Sequence, residues 1–194
     1  GWTEQCALWS KGDMEVVKQM RCIESMLPFP LRGFDSDNGS EFINHRLLKH
    51  FIDRKVPVQF TRSRAYKKND NAHVEQKNWT HVRQWLGYER IDVREAVELL
   101  NQLYTAEWRL FHNYYCPSMK LISKERQGSK TIKKHDNPQT PYQRILESDQ
   151  ISDYTKRNLT HVFENTNPLI LKEKIKKKLR QVFKLCYNSR AEHN

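Results

Sequence analysis

Residues 31–42, LRGFDSDNGSEF, are the stretch of sequence that decides the fold. Its apolar start, Leu31 to Phe34, predicts a short buried strand, and acidic residues follow where that strand ends. Ligands gather at the carboxyl ends of strands in open α/β sheets. We therefore expect Asp35 and Asp37 to lie beside a functional site.

Helical and strand patterns alternate on both sides of this stretch. A helix is expected after Asp13, its predicted cap, because four apolar residues recur at helical spacing: Val16, Met20, Ile23 and Leu27. Residues 47–52 predict a second helix, whereas residues 2–10 and 56–61 have strand-like composition. Such alternation indicates a layered α/β domain.

A second acidic stretch, NDNAHVE at residues 69–75, opens the next predicted helix, and 37 residues separate Asp37 from Glu75. Carboxylates at a strand end and on a helix can share hard divalent cations, as phosphoryl-transfer enzymes require. Asp35 is an alternative ligand, because it lies on the same side of an extended segment as Asp37. Asp70 is expected to cap the helix. In a purely structural alternative, Asp37 shapes a turn and Glu75 lies on a helix surface.

The two acidic stretches resemble the DDE integrases and transposases. Asp37-Asn38-Gly39-Ser40-Glu41-Phe42 is similar to the second-aspartate motif of the retroviral-integrase-like core, and residues 70–75 are similar to its glutamate helix. Gly1-Trp2-Thr3-Glu4 resembles the strand that follows the first catalytic aspartate, and residues 113–144 resemble the tail of integrase-core transposases of bacterial insertion sequences. The family's first aspartate lies upstream of such a strand, so the resemblance implies an N-terminally truncated fragment.

This resemblance implies an α/β fold of the RNase H-like type, lacking its first strands, over residues 1–90. A helical, basic C-terminal extension is expected to follow, divided into a helical part (91–122), a basic linker (123–139) and a basic helical region (140–194). In that region, Thr140-Pro141 and Asn167-Pro168 are predicted helix starts.

The implied activity is DNA strand cleavage and strand transfer, as in DNA integration and transposition. The resemblance assigns Asp37 and Glu75 as catalytic metal ligands for two Mg²⁺ or Mn²⁺ ions, a site that is incomplete in this fragment. The fragment alone is therefore expected to be inactive. The alternative is a non-catalytic DNA-binding or assembly remnant of a mobile element, and an RNase H-like nuclease is a weaker third hypothesis.

The charge distribution favours a nucleic-acid partner. The chain of 194 residues has a formal net charge of +11; residues 1–115 hold 17 Lys and Arg against 15 Asp and Glu, whereas residues 116–194 hold 17 against 8. This excess favours polyanions. The expected partner is double-stranded DNA, as element ends and target, and the resemblance implies a homo-oligomer. The candidate DNA contacts are Arg62, Arg64, Lys67, Lys68, Lys77, Arg83, Lys130, Lys133, Lys134, Lys176, Lys177 and Arg180, and a solvated surface is the alternative for each.

Other features of the sequence limit the classes of protein. No apolar run approaches the roughly 18 residues of a membrane span. The four cysteines are scattered without a metal-binding pair, which is typical of a reduced intracellular protein. We expect a bacterial cytoplasmic location at the nucleoid. Five aromatic residues at helical spacing are predicted to be core side chains rather than base-stacking platforms: Trp79, Trp85, Tyr104, Trp108 and Phe111.

Overall fold

The computed structural model describes the backbone of residues 1–10, 12–36, 45–62 and 76–192, and all their side chains except those of His45, Arg62 and Glu192. In chain order the described elements are α1 (Asp13–Met26), β1 (Gly33–Ser36), α2 (His45–Ile52), β2 (Gln59–Arg62), α3 (residues 76–86), α4 (residues 94–115), β3 (Leu121–Gln127), β4 (Lys130–His135), α5 (Pro141–Leu146), α6 (Asp153–Glu164) and α7 (Pro168–Glu192). Both α3 and α4 contain a π-helical turn, at Trp79–Arg83 and Tyr104–Trp108. The protein is thus a mixed helix-and-sheet structure.

The described chain forms two compact units. One comprises Gly1–Gln5 with Gln102–Lys177, and the other comprises Cys6–Asn101 with Lys178–Asn194. Each unit combines two separate stretches of sequence. The consecutive regions predicted from sequence, with boundaries at residues 90, 122 and 139, do not coincide with these units.

Strands β1 and β2 form a parallel pair in the second unit, with Phe34 opposite Phe60. Phe34 also stacks on Phe51 of α2, at 4.8 Å between ring centroids. These rings join a core that includes Val16 and Leu47, so α1 and α2 pack on one face of the two strands. Because side chains alternate along a strand, Asp35 and Thr61 are directed to the other face, where both are exposed. These described strands and helices form a mixed helix-and-sheet arrangement, and the layered α/β domain expected around residues 31–42 stays a prediction.

The segment before α1 was predicted to be a strand, and that prediction is wrong for its described residues, 1–10. In the first unit, Asn113 Oδ1 accepts from the Thr3 amide and Asn113 Nδ2 donates to the Thr3 carbonyl, both at 2.8 Å. In the second unit, Asn101 makes the same pair of bonds with Ala7, at 2.8 and 3.0 Å. Helix side chains therefore satisfy backbone groups that would otherwise pair with a neighbouring strand.

The linker expected at residues 123–139 is also wrong, because β3 and β4 form an antiparallel hairpin there. Gln127 pairs with Lys130 across a two-residue turn, and Gly128 at the first turn position has φ +62°. Two-residue hairpin turns require such a left-handed residue, which glycine adopts without steric cost. The polar composition that suggested a linker belongs to two exposed strands.

Both predicted helix starts in the C-terminal region are confirmed. Thr140 Oγ1 accepts from the Gln143 amide and Gln143 Oε1 accepts from the Thr140 amide, so the two residues form a capping box before α5. Asn167 Oδ1 accepts from the Leu169 amide at 2.9 Å and caps α7. Gly12, rather than Asp13, is the residue that precedes the first turn of α1.

The predicted aromatic core is confirmed in part. Tyr104 and Trp108 are buried, whereas Trp85 and Phe111 are half-buried. Trp79 is 51 % exposed, so its assignment to the core is wrong. The π-helical turn that begins at Trp79 departs from the spacing assumed for an α-helix, and the apolar stripe predicted from that spacing does not apply there.

Candidate metal and nucleic-acid sites

The carboxyl ends of β1 and β2 lie at the same edge of the strand pair, because the two strands are parallel. The register pairs Asp35 with Thr61 and, at the last position, Ser36 with Arg62. Asp37 follows Ser36 directly in the sequence, and the segment 63–75 follows Arg62. Asp37, Arg64, Lys67, Lys68, Asp70 and Glu75 themselves lie outside the described residues, as does the side chain of Arg62.

Asp35, the alternative metal ligand, has a structural partner. Its carboxylate Oδ1 accepts a hydrogen bond from Thr61 Oγ1 at 2.8 Å, on the exposed face of the strand pair. The two residues are register partners, so this bond links β1 to β2 side by side. Asp35 thus has a cross-strand role that needs no metal.

Lys77 and His81 form a pair one turn apart on α3. Lys77 Nζ lies 3.2 Å from His81 Nε2. Burial, together with the Lys77 charge, lowers the pKa of His81 to about 4, and burial also lowers the pKa of Lys77. At neutral pH the imidazole is therefore neutral and Nε2 accepts from the ammonium. His81 was not among the predicted site residues.

Arg83, near the end of the same helix, packs against the chain that follows it. Its guanidinium lies 4.7 Å from the centre of the Tyr88 ring, and Nη1 donates to the Gly87 carbonyl at 3.3 Å. These contacts stabilise the end of α3, where Gly87 has φ +64°. Arg83 therefore has a structural role beside any contact with DNA.

The hairpin and α7 carry the remaining predicted contacts, and all of them are exposed. Lys130, Lys133 and Lys134 lie on β4. Lys176, Lys177 and Arg180 lie on α7, opposite a buried stripe formed by Leu171, Ile175, Leu179, Val182 and Cys186. The helix α7 is therefore amphipathic, with its apolar stripe buried and these three cations exposed.

The described residues include four free cysteines but no cluster of metal-ligating side chains. Within the described ranges, no three His, Cys, Asp or Glu side chains are grouped as metal ligands. All four cysteines are free, and burial raises the pKa of Cys6 to about 11, so its thiol stays protonated at neutral pH. Across the same described ranges, no helix is both long and apolar enough to cross a membrane.

Comparison with known proteins finds a relative of the chain. "Uncharacterized protein y4rM" of Sinorhizobium fredii is 40% identical over 144 residues, which are 74% of this chain and 40% of that protein. The chain thus spans less than half of the relative's length. No protein-family model matches the chain, and no solved structure matches it.

Proposed function

We propose that this chain is part of a DNA strand transferase of the DDE type, with an RNase H-like core. In this proposal Asp37 and Glu75 hold two Mg²⁺ or Mn²⁺ ions, and the substrates are the ends of a mobile element and its target, both double-stranded DNA. The protein acts as a homo-oligomer in the bacterial cytoplasm, at the nucleoid.

The observation that carries this proposal is the parallel register of β1 and β2. The carboxyl ends of parallel strands lie at the same edge of a sheet. Ser36 and Arg62 are register partners at that edge, and in the sequence they directly precede Asp37 and the segment 63–75 that ends at Glu75. This geometry supports a shared cation site of hard oxygen ligands at that edge.

The residues of the chain have separate roles in the proposed reaction. Bound divalent ions supply activation of the attacking oxygen and stabilisation of the leaving oxygen. Asp37 and Glu75 provide the negative charge and the fixed positions that hold those ions. Lys77, two residues after Glu75 in the sequence, contacts the DNA phosphates, and the neutral His81 orients its ammonium through their hydrogen bond.

Strand transfer by the protein encoded by the whole reading frame tests the metal ligands. Asp37→Asn and Glu75→Gln should each lower the rate of strand transfer by at least about 100-fold, because a small misplacement of the reacting groups already costs that much in rate. Duplex binding should stay within twofold of the wild-type affinity. Asp35→Asn is the matched control and should stay near the wild-type rate. Loss in Asp35→Asn with activity in Asp37→Asn would reverse the assignment of the ligand.

The second candidate function is DNA binding without catalysis, in an assembly remnant of a mobile element. It is favoured by exposed Lys133 on β4 and by the exposed cations on α7, which are remote in sequence from the proposed metal ligands. If the protein encoded by the whole reading frame binds duplex DNA but gives no strand transfer with Mg²⁺ or Mn²⁺, this candidate replaces the first.

A further inference from the structure

The β3–β4 hairpin is an exposed two-stranded ribbon. Every residue of both strands is exposed except Ser123, which is half-buried. Strands of this length extend about 20 Å. Neither face of the ribbon is covered by the part of the chain that the structure describes, although an isolated two-stranded hairpin is marginally stable in water.

One face of the ribbon carries only positive charge among its ionised side chains. Lys124 is directly opposite Lys133, and the next pair on the same face is Arg126 with Thr131. We call Lys124, Arg126 and Lys133 the cationic face. The other face holds Glu125 and Ile132 together with Lys130 and Lys134, because side chains alternate along each strand.

The cationic face is not neutralised within the described residues. Arg109 is paired with Glu4, and Arg144 is paired with Asp136, whereas no described carboxylate forms an ion pair with the three residues of the cationic face. Like charges directly opposite each other destabilise a strand pair. The arrangement therefore costs stability in the free chain, and a bound polyanion would offset that cost.

The base of the ribbon is held firmly against α5. Asp136 accepts from the Lys120 amide at 2.5 Å and from Arg144 Nη1 at 2.6 Å, and Arg144 Nη2 donates to the Ser118 carbonyl at 2.7 Å. Ser118 and Gln139 add a backbone bridge. A ribbon fixed at its base loses less conformational freedom on binding than a mobile loop would.

We propose that the β3–β4 hairpin is a β-ribbon arm that enters the major groove of duplex DNA through its cationic face. A two-stranded ribbon fits the width of the major groove, and the face presents cations to the phosphates that border it. This inference rests on the proposed function for the choice of DNA as the partner. It adds Lys124 and Arg126 to the residues that contact DNA and keeps Lys133 among them. Lys130 and Lys134, on the other face, are not assigned a DNA contact.

Duplex binding by the 194-residue chain, measured as a function of salt, tests the arm with two matched variants. Lys124→Gln/Lys133→Gln and Lys130→Gln/Lys134→Gln remove the same two charges from opposite faces. The first should flatten the slope of log affinity against log salt by about two units and weaken binding at least tenfold at low salt. The second should change affinity less than twofold.

Folding and groove choice supply the remaining controls. Because it removes a like-charge pair, Lys124→Gln/Lys133→Gln should keep or raise the melting temperature, so its loss of binding cannot be attributed to unfolding. A duplex with bulky C5 substituents on its pyrimidines, which fill the major groove, should bind at least tenfold more weakly.

Three outcomes would contradict the proposal that the hairpin binds in the major groove. They are equal effects of the two variants, unchanged binding to the C5-substituted duplex, and tighter binding of single-stranded RNA or an acidic peptide than of duplex DNA. Duplex binding that depends on the cationic face, together with no strand transfer by the protein encoded by the whole reading frame, would contradict the proposed function and leave the proposed DNA-binding role of the hairpin intact.

Discussion

The imidazole of His81 lies half-buried on α3, with the Lys77 ammonium 3.2 Å away. Its pKa of about 4 in the folded chain is below the ordinary value of 6.5. Between these values the unfolded chain binds a proton that the folded chain does not. The contribution of neutral His81 to the free energy of unfolding is therefore fully present above pH 6.5 and is lost as the pH falls towards 4.

The pH dependence of unfolding tests this depressed pKa. Between pH 7.5 and pH 5, wild-type protein should lose about 1 to 2 kcal/mol more of its free energy of unfolding than His81→Gln, after allowance for partial exposure. Urea denaturation at both pH values measures the free energy of unfolding of each protein. Subtracting the His81→Gln values from the wild-type values removes the contribution of the other histidines, which both proteins share. Identical pH dependence in the two proteins would contradict the depressed pKa.

Single residues at the candidate site were only partly predictable from sequence. Asp37 and Glu75 were selected because a motif and its spacing carried the inference. A lone histidine gives no comparable pattern, and the low pKa of His81 depends on burial that the sequence does not reveal. The Asp35–Thr61 bond likewise depends on strand register, which joins residues 26 positions apart.

At the scale of elements, the capping box of α5 offers a direct measure of a predicted feature. Thr140→Ala should lower the free energy of unfolding by about 1 kcal/mol, because it leaves the Gln143 amide without its acceptor. Thr105→Ala, at an exposed position within α4, is the matched control and should change stability by less than about 0.5 kcal/mol. Urea unfolding measures both changes. Equal stability of the two variants would mean that the box contributes nothing.

Elements with local signals were predicted well, and those that depend on distant partners were not. The helices α1 and α2 and the starts of α5 and α7 follow from apolar spacing and caps. The strand predicted at Leu31–Phe34 lies instead at Gly33–Ser36, so Asp35 lies inside the strand rather than after it. The hairpin was missed although Gly128-Ser129 is a two-residue turn signal, because its strands have no apolar face to mark them. Residues 2–10 were predicted to be a strand, and only the distant Asn101 and Asn113 explain why they are not.

At the scale of the whole molecule, positive charge is concentrated in residues 116–194. If α7 contacts DNA phosphates, replacing Lys176, Lys177 and Arg180 with Gln should flatten the salt dependence of duplex affinity by about two to three units, with similar losses on unrelated sequences. Lys18, Arg21 and Lys55, exposed residues of the less charged half, provide a control that removes the same number of charges. An unchanged slope in the α7 variant would assign its charges to solvent.

The attachment of the first residues through Asn101 and Asn113 has a consequence for sequence variation. Each asparagine binds the amide and the carbonyl of its partner, so what it recognises is the peptide unit and not the side chain of Ala7 or Thr3. Positions 3 and 7 should therefore accept most amino acids other than proline, which has no amide hydrogen to donate. The two asparagines should tolerate almost no replacement, because few side chains offer a donor and an acceptor in the same plane. Divergence among related chains would then be permitted in the anchored segment and resisted in the helix that anchors it.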